Sequence, residues 1–251
     1  MDEVQTVNER ATRGLEAMAL LVEATDPFTP AHEDTSAFQI AWGLLAGAHR
    51  QAAAVVLMHD KGLGHDTAPN RRALLEHAAR IWWLAEDGPD AVISMNRALQ
   101  RSQAALRRAA DAAGIPYPTE IADAVAATEI PSNRREVYNN FTQLMQRVGA
   151  PLLAIWLSES MAAHPTLTSA QAFSRFEDGV LTLFAEPDYP QGIDPPGHYA
   201  PLVAVVLLWH AMNSFNRLLA GEPWTAALQQ IGKDAGIEET ASRTAAAPTV
   251  T

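Results

Sequence analysis

The chain has 251 residues, 48% hydrophobic and 19% charged, with no cysteine and a formal net charge of −11. The missing cysteines exclude disulfides, thiolate metal sites and a cysteine nucleophile. The negative balance argues against broad electrostatic attachment to nucleic acid or to an anionic membrane surface. The length suits one large domain or two small ones. Abundant alanine and thinly spread β-branched residues favour helix over sheet. The opening, MDEVQTVNER, is acidic and lacks the apolar core of a secretory signal. The longest apolar run, Ala200 to Met212, is interrupted by His210 and falls short of the about 20 residues a membrane span needs. A cytoplasmic protein with no membrane partner is the expectation.

Apolar residues at helical spacing (Val4, Val7, Ala11, Leu15, Met18, Val22) predict a first helix over 3–23, and Pro27 and Pro30 mark the loop after it. A second helix is predicted over 36–61, with Asp34, Thr35 and Ser36 offering caps and Gly62 at its C-terminal end. The third begins after Thr67, takes Pro69 in its first turn and runs to Glu86. Gly88 and Pro89 separate it from an amphipathic, Arg-rich helix over 90–113, which Gly114 and Pro116 end. Shorter helices are predicted over 119–127, from 132 or 133 to 148, and over 151–163. In the segment from Pro165 to Gly197, Asp178-Gly179 lies between Phe173-Ser-Arg-Phe-Glu and Val180-Leu-Thr-Leu-Phe. It reads either as the type I′ turn of a small β-hairpin near 173–184 or as part of a helix. A long helix over 199–219 and a short one over 224–234 complete the series. The fold class is all-α: one domain over 1–236, a bundle of eight or nine helices, with a small, polar tail over 237–251 that reads as disordered.

The third helix reads NRRALLEHAARIWWLAED. Its apolar residues cover nearly the whole circumference, which places it inside the bundle. Arg72, Glu76, His77 and Arg80 nevertheless lie in it. Arg72 and Glu76 are four apart, as are Glu76 and Arg80, so the group reads either as a buried ion-pair ladder that sets helix register or as the lining of a cleft.

The stretch Arg72-Ala-Leu-Leu-Glu-His77 followed by Trp82-Trp-Leu resembles the R-x-x-x-E-H … W-L core of a group of uncharacterised all-helical actinobacterial proteins. A later W-L-S … H pattern of that group is matched by Trp156-Leu157-Ser158 and His164. The resemblance implies the helical fold and names no activity. Arg72 and His77, with four residues between them, also resemble the Arg-x(4–6)-His motif of the HEPN superfamily, many of whose members are metal-independent ribonucleases. That likeness implies a homodimer with Arg72 and His77 at its cleft, the histidine as acid and base and the arginine as charge stabiliser for RNA cleavage.

Three further groups complete the inventory. His59-Asp60 resembles the His-Asp doublet of HD phosphohydrolases, with His32 upstream and Asp111 or Asp123 as a distant ligand. It also reads as the solvated last turn of a helix before Gly62, with His65-Asp66 as loop and cap. His210 and Asn213, three apart on the most apolar helix, either bond each other or the backbone, or face Arg72, Glu76 and His77 across an internal polar pocket. Ser158 and His164 are six apart, which does not make a nucleophile–base pair, and they join that pocket as candidate lining. There is no Glu-x-x-His, no His-x-His, no phosphate loop and no Gly-x-Ser-x-Gly, and no cofactor is expected. Three readings follow: a HEPN-like RNA-cleaving or RNA-binding homodimer using Arg72, His77 and Glu76; a non-catalytic bundle binding a small molecule or protein partner in a polar pocket; and a metal-dependent phosphohydrolase.

Overall fold

The computed structural model describes residues 3–25, 27–118, 120, 123–124, 127–189 and 197–237. Its α-helices are α1 (Glu3–Glu23), α2 (Ser36–Asp60), α3 (Ala68–Asp87), α4 (Pro89–Ala113), α5 (Phe141–Val148), α6 (Ala150–Ala163), α7 (Leu167–Gln171), α8 (Ala200–Asn216) and α9 (Thr225–Asp234). Two 3₁₀ turns cover His65–Thr67 and Arg134–Asn139, and one hairpin pairs β1 (Ser174–Glu177) with β2 (Val180–Leu183). The architecture is an all-α bundle with a small hairpin.

The centre is formed by α2, α3 and α8, which pack on one another, with α1 against α8 and α6 against α3. Alanines thin the contact surfaces: Ala41, Ala48 and Ala52 of α2 and Ala204 and Ala211 of α8 are fully buried, which lets the backbones approach closely. Around them pack Leu45, Leu74, Leu75, Ile81, Trp83 and Leu208, each at most 1% exposed. At one end an aromatic cluster of Phe28, Phe38, Trp42, Phe215 and Trp224 adds edge and tilted contacts, with ring centroids 4.8–6.4 Å apart. Asn216, 2% exposed, organises the turn beside it. Its carbonyl accepts from the Trp224 backbone N–H at 2.9 Å and its amide donates to Thr225 Oγ1 at 3.0 Å, so a buried polar side chain is satisfied. Helix α2 is long and apolar enough by composition to cross a membrane, and here it lies against α3 and α8 within the bundle.

Several boundaries differ from the sequence expectation for local reasons. The single helix expected up to residue 148 is broken at Asn140, whose backbone is extended. Its side chain caps α5 by accepting from the N–H groups of Thr142 (2.9 Å) and Gln143 (3.4 Å). Before it, Asn133 and Glu136 close a capping box on the preceding turn. Asparagine bonds its neighbouring backbone more readily than it continues a helix. The helix expected over 119–127 falls largely outside the described residues. Asp178 and Gly179 both take positive φ, 51° and 79°, so the hairpin alternative holds over the helical one. Ile237, assigned to the tail by composition, is 3% exposed and belongs to the core cluster that also holds Ala235.

Candidate functional site

Helix α3 turns its charged residues toward α6. Arg71 is buried, its side chain 4% exposed, and it grips Glu159 of α6 through two bonds, Nε to Oε1 and Nη2 to Oε2, each 2.9 Å. Its remaining donor reaches Thr67 Oγ1 and the Gly64 carbonyl, at 3.2 Å for the latter. The deeply buried ion pair is thus Arg71 with Glu159, one residue away from the Arg72–Glu76 ladder expected to be buried. Arg72 and Glu76 do pair, at 3.0 Å, but their side chains are 25% and 23% exposed. Glu76 also accepts from the Trp156 indole at 2.9 Å, and Arg72 lies over the Trp156 ring and bonds the His164 imidazole. Arg80 covers Phe141, which stacks on Trp156. Burial pushes the Arg80 guanidinium down from its ordinary range, and Glu76 opposes that shift.

His77 points elsewhere. Its Nδ1 hydrogen-bonds the Ala73 carbonyl at 2.6 Å, and a Cβ on Gly47 of α2 would stand 2.8 Å from its Nε2. Five residues along a helix rotate a side chain by about 140°, so Arg72 faces α6 while His77 is wedged against α2. No contact joins the two among the described residues. The arginine meets a histidine all the same: His164, from the end of α6. Ser158 is exposed on α6. His210 is exposed on α8, and the Asn213 amide donates to the Trp209 carbonyl of its own helix at 2.8 Å. For Asn213 this is the backbone-bonded alternative.

The larger polar concavity lies at the C-terminal end of α2. Three adjoining depressions of about 440, 430 and 560 Å³ form it. The first two share His59 and His198, and the last two share His65 and Asp66. The depressions adjoin, as one groove region, where the loop after α2 crosses the residues leading into α8. There Gly197, at φ +100°, passes so close to Gly64 that a Cβ on it would stand 2.2 Å from the Gly64 carbonyl oxygen. Only glycine fits such an approach. The crossing brings together His59 of α2, His65 of the 3₁₀ turn and His198.

Asn8 of α1 forms the groove wall and is 9% exposed. Its amide nitrogen donates to the His198 carbonyl at 3.1 Å and sits 3.4 Å from His59 Nε2. The carbonyl partner fixes the orientation of the amide, and its Oδ1 has no hydrogen-bond donor among the described residues. On the far side the Tyr189 hydroxyl bonds His65 Nδ1. Burial raises the phenol above its ordinary range, and Asp66 adds to the shift. Glu9, Asp60, Asp66 and Glu186 line the first two depressions, and Lys61 is the one lysine or arginine among the described lining residues.

The His59-Asp60 doublet therefore belongs to this groove. His32 lines a separate depression with Asp34, Glu86 and Asp87, so the set needed for an HD-type metal centre does not converge. Among the described residues no three histidine or carboxylate side chains stand close enough to hold a metal ion. His59, His65 and His164 stand out in the sequence, whereas Asn8, Tyr189, Glu159 and His198 do not. Their one common signal is a polar residue in or beside an otherwise apolar or loop segment, which gives no partner. No protein-family model, characterised protein or solved structure matches the chain.

Proposed function

We propose that the protein binds a small, amine-bearing molecule in the groove between α1, the end of α2 and the start of α8. The reading is a form of the non-catalytic pocket-binding alternative, moved from the bundle interior to this surface. It rests on the chemistry of the walls: four carboxylates line a space with one lysine. Such a lining accepts hydrogen bonds and attracts cations, and ligand sites commonly occupy about 300–1,000 Å³. The imidazoles of His59, His65 and His198 supply further hydrogen-bonding groups on the same walls.

The test is a thermal-shift panel of amino acids, polyamines, amino sugars and guanidino compounds, with nucleotides and sugar phosphates as anionic controls. Stabilisation by an amine, weakened by salt and by Asp60→Asn or Asn8→Leu but not by His210→Ala, is the expected result. Stabilisation by anions alone, or by no member of the panel, sinks the reading.

A second reading, metal-independent RNA cleavage, has one observation of its own: Arg72 beside His164 at the rim of the third depression. It keeps the arginine of the HEPN resemblance and exchanges His77 for His164 as the acid–base group. Cleavage of RNA in EDTA that is lost in Arg72→Ala and His164→Ala but survives His77→Ala would support it. Dependence on His77 instead would restore the original pairing, and no cleavage by the wild type would end both.

A further inference from the structure

Residues 165–189, which hold α7 and the hairpin, leave the bundle as a unit at the end of α6. At the root of this unit Thr166 Oγ1 donates to the Met161 carbonyl and Ser169 Oγ to the His164 carbonyl, each at 2.9 Å. Within it, the Phe184 N–H donates to the Phe173 carbonyl at 2.9 Å and the Asp188 N–H to the Ala172 carbonyl at 2.8 Å. Arg175 pairs with Asp188. These contacts fasten residues 184–189 to β1 and the end of α7. Strand β1 packs on α7, and α7 on α6. Among the described residues, no apolar side chain of 165–189 joins the core cluster or packs against it. The unit thus lacks the burial that anchors the helices, and segments held so lightly open locally at low cost.

Away from that root the unit meets the bundle at His65. The His65 ring lies 5.9 Å from the Phe173 ring, edge-on, and 5.9 Å from the Tyr189 ring, and its Nδ1 bonds the Tyr189 hydroxyl. Among the described residues this is the one hydrogen bond or ion pair from 167–189 to a residue outside 161–189. On either side of it the unit and the bundle are separated by open space. The second depression, about 430 Å³, lies between Lys61, His65 and Asp66 on the bundle side and Glu186, Pro187 and Tyr189 on the other. The third, about 560 Å³, lies between His65, Asp66 and Pro69 and the facing Thr166, Ser169 and Phe173. We propose that residues 165–189 form a flap over these two depressions, held shut by His65 clasped between Phe173 and Tyr189. Swinging out about its root at the end of α6, the flap carries Glu186, Pro187 and Tyr189 away and opens the second depression to solvent. A ligand seated there touches flap and bundle together, so it favours the shut state and shifts the population toward it. His65 is a positioning residue in this scheme, acting through the flap. The gating of a ligand rests on the amine-binding reading of the groove; the flap itself does not.

The chain has no cysteine, so two spin labels can be placed on the full chain, without ligand, through Thr182→Cys on the hairpin and Leu20→Cys on α1. Both positions are exposed. Pulsed double electron–electron resonance then reads the distance from flap to bundle. The labelled parent should show one main distance. Tyr189→Phe, which removes the hydroxyl and keeps the ring, should raise the share of longer distances about fivefold. His65→Ala, which also removes both ring contacts, should make the longer distances the majority. Because the flap shares no core with the bundle, Tm should stay within about 4 °C of the parent in both variants. Distances unchanged in both variants, or changed only together with a large loss of Tm, overturn the flap. Distances that respond as expected in a protein that binds no amine uphold the flap and count against the ligand reading alone.

Discussion

Arg71 and Glu159 hold α3 and α6 together by two parallel bonds of 2.9 Å, with side chains 4% and 15% exposed. A guanidinium in that position has left water and is compensated by one carboxylate, one hydroxyl and one carbonyl. Glu159→Gln removes the countercharge and leaves Arg71 buried and unpaired, which should cost about 3 kcal/mol and lower Tm by roughly 6–12 °C. Glu76→Gln should cost about 1 kcal/mol, because the Arg72–Glu76 pair is partly solvated. Urea unfolding of the two variants decides the ranking; a larger loss from Glu76→Gln would contradict it.

The Gly64–Gly197 crossing makes a sharper claim about the groove. A Cβ at Gly197 meets backbone at 2.2 Å, and the residue also has φ +100°, so neither strain can be relieved by a side chain turning away. Gly197→Ala should separate the two loops, destabilise the fold by about 2 kcal/mol and abolish the binding assigned to His59, His65 and His198. Gly62→Ala provides the contrast: its φ is +79°, but the added Cβ meets nothing, so it should lose about 1 kcal/mol and keep the groove. Equal effects of the two substitutions on ligand affinity would show that the crossing does not build the site.

How far these features could be read from the chain depends on their range. Helix α3, the hairpin turn at Asp178-Gly179 and the long apolar α8 follow periods and turn signals within a few residues of each other. The W-L-S … H segment was also picked out, and Trp156 and His164 do meet Arg72 and Glu76. The identity of the buried arginine was not legible. Arg71 and Arg72 are adjacent, and about 100° of helix rotation decides which faces Glu159, 88 positions away. The groove was hidden for a similar reason. Asn8 looks like an ordinary polar position of the first helix, His59, His65, Tyr189 and His198 look like helix-end, turn or loop residues, and Gly197 looks like any loop glycine until Gly64 is placed beside it.

Acid sensitivity should centre on Asp87. Its side chain is 4% exposed and bonds Arg147, the Trp83 indole at 3.0 Å and Arg135 at 3.3 Å. The Arg147 hydrogen bond is the largest influence holding its carboxyl below the usual carboxylate range; burial opposes it, and the charges of Arg147 and Arg135 and the Trp83 bond reinforce it. An acid whose folded pKa is depressed stabilises the fold at every pH above its unfolded value of about 3.9, and loses that contribution as pH falls through the folded pKa. Asp87→Asn should therefore cost about 3 kcal/mol at neutral pH, and the wild-type and variant stabilities should converge as the solution is acidified below about pH 4. A difference that stays constant into acid would assign the loss to hydrogen bonding alone.

Ile237 is 3% exposed and joins the cluster that includes Ala235 and Leu228, close to where α9 packs on α1 and α8. A chain ending at Gly236 loses that side chain and leaves a cavity, with a cost of about 2–4 kcal/mol by analogy with isoleucine truncation in other cores. A chain ending at Thr240 retains Ile237 and places the terminal carboxylate three residues beyond it. The residues it removes, ASRTAAAPTVT, contain one large apolar side chain, Val250. Its Tm should match that of the full chain, whereas the Gly236 truncation should melt roughly 5–12 °C lower. Calorimetry of both shortened chains separates the two boundaries, and equal melting of the Gly236 and Thr240 truncations would move the domain edge back to Gly236.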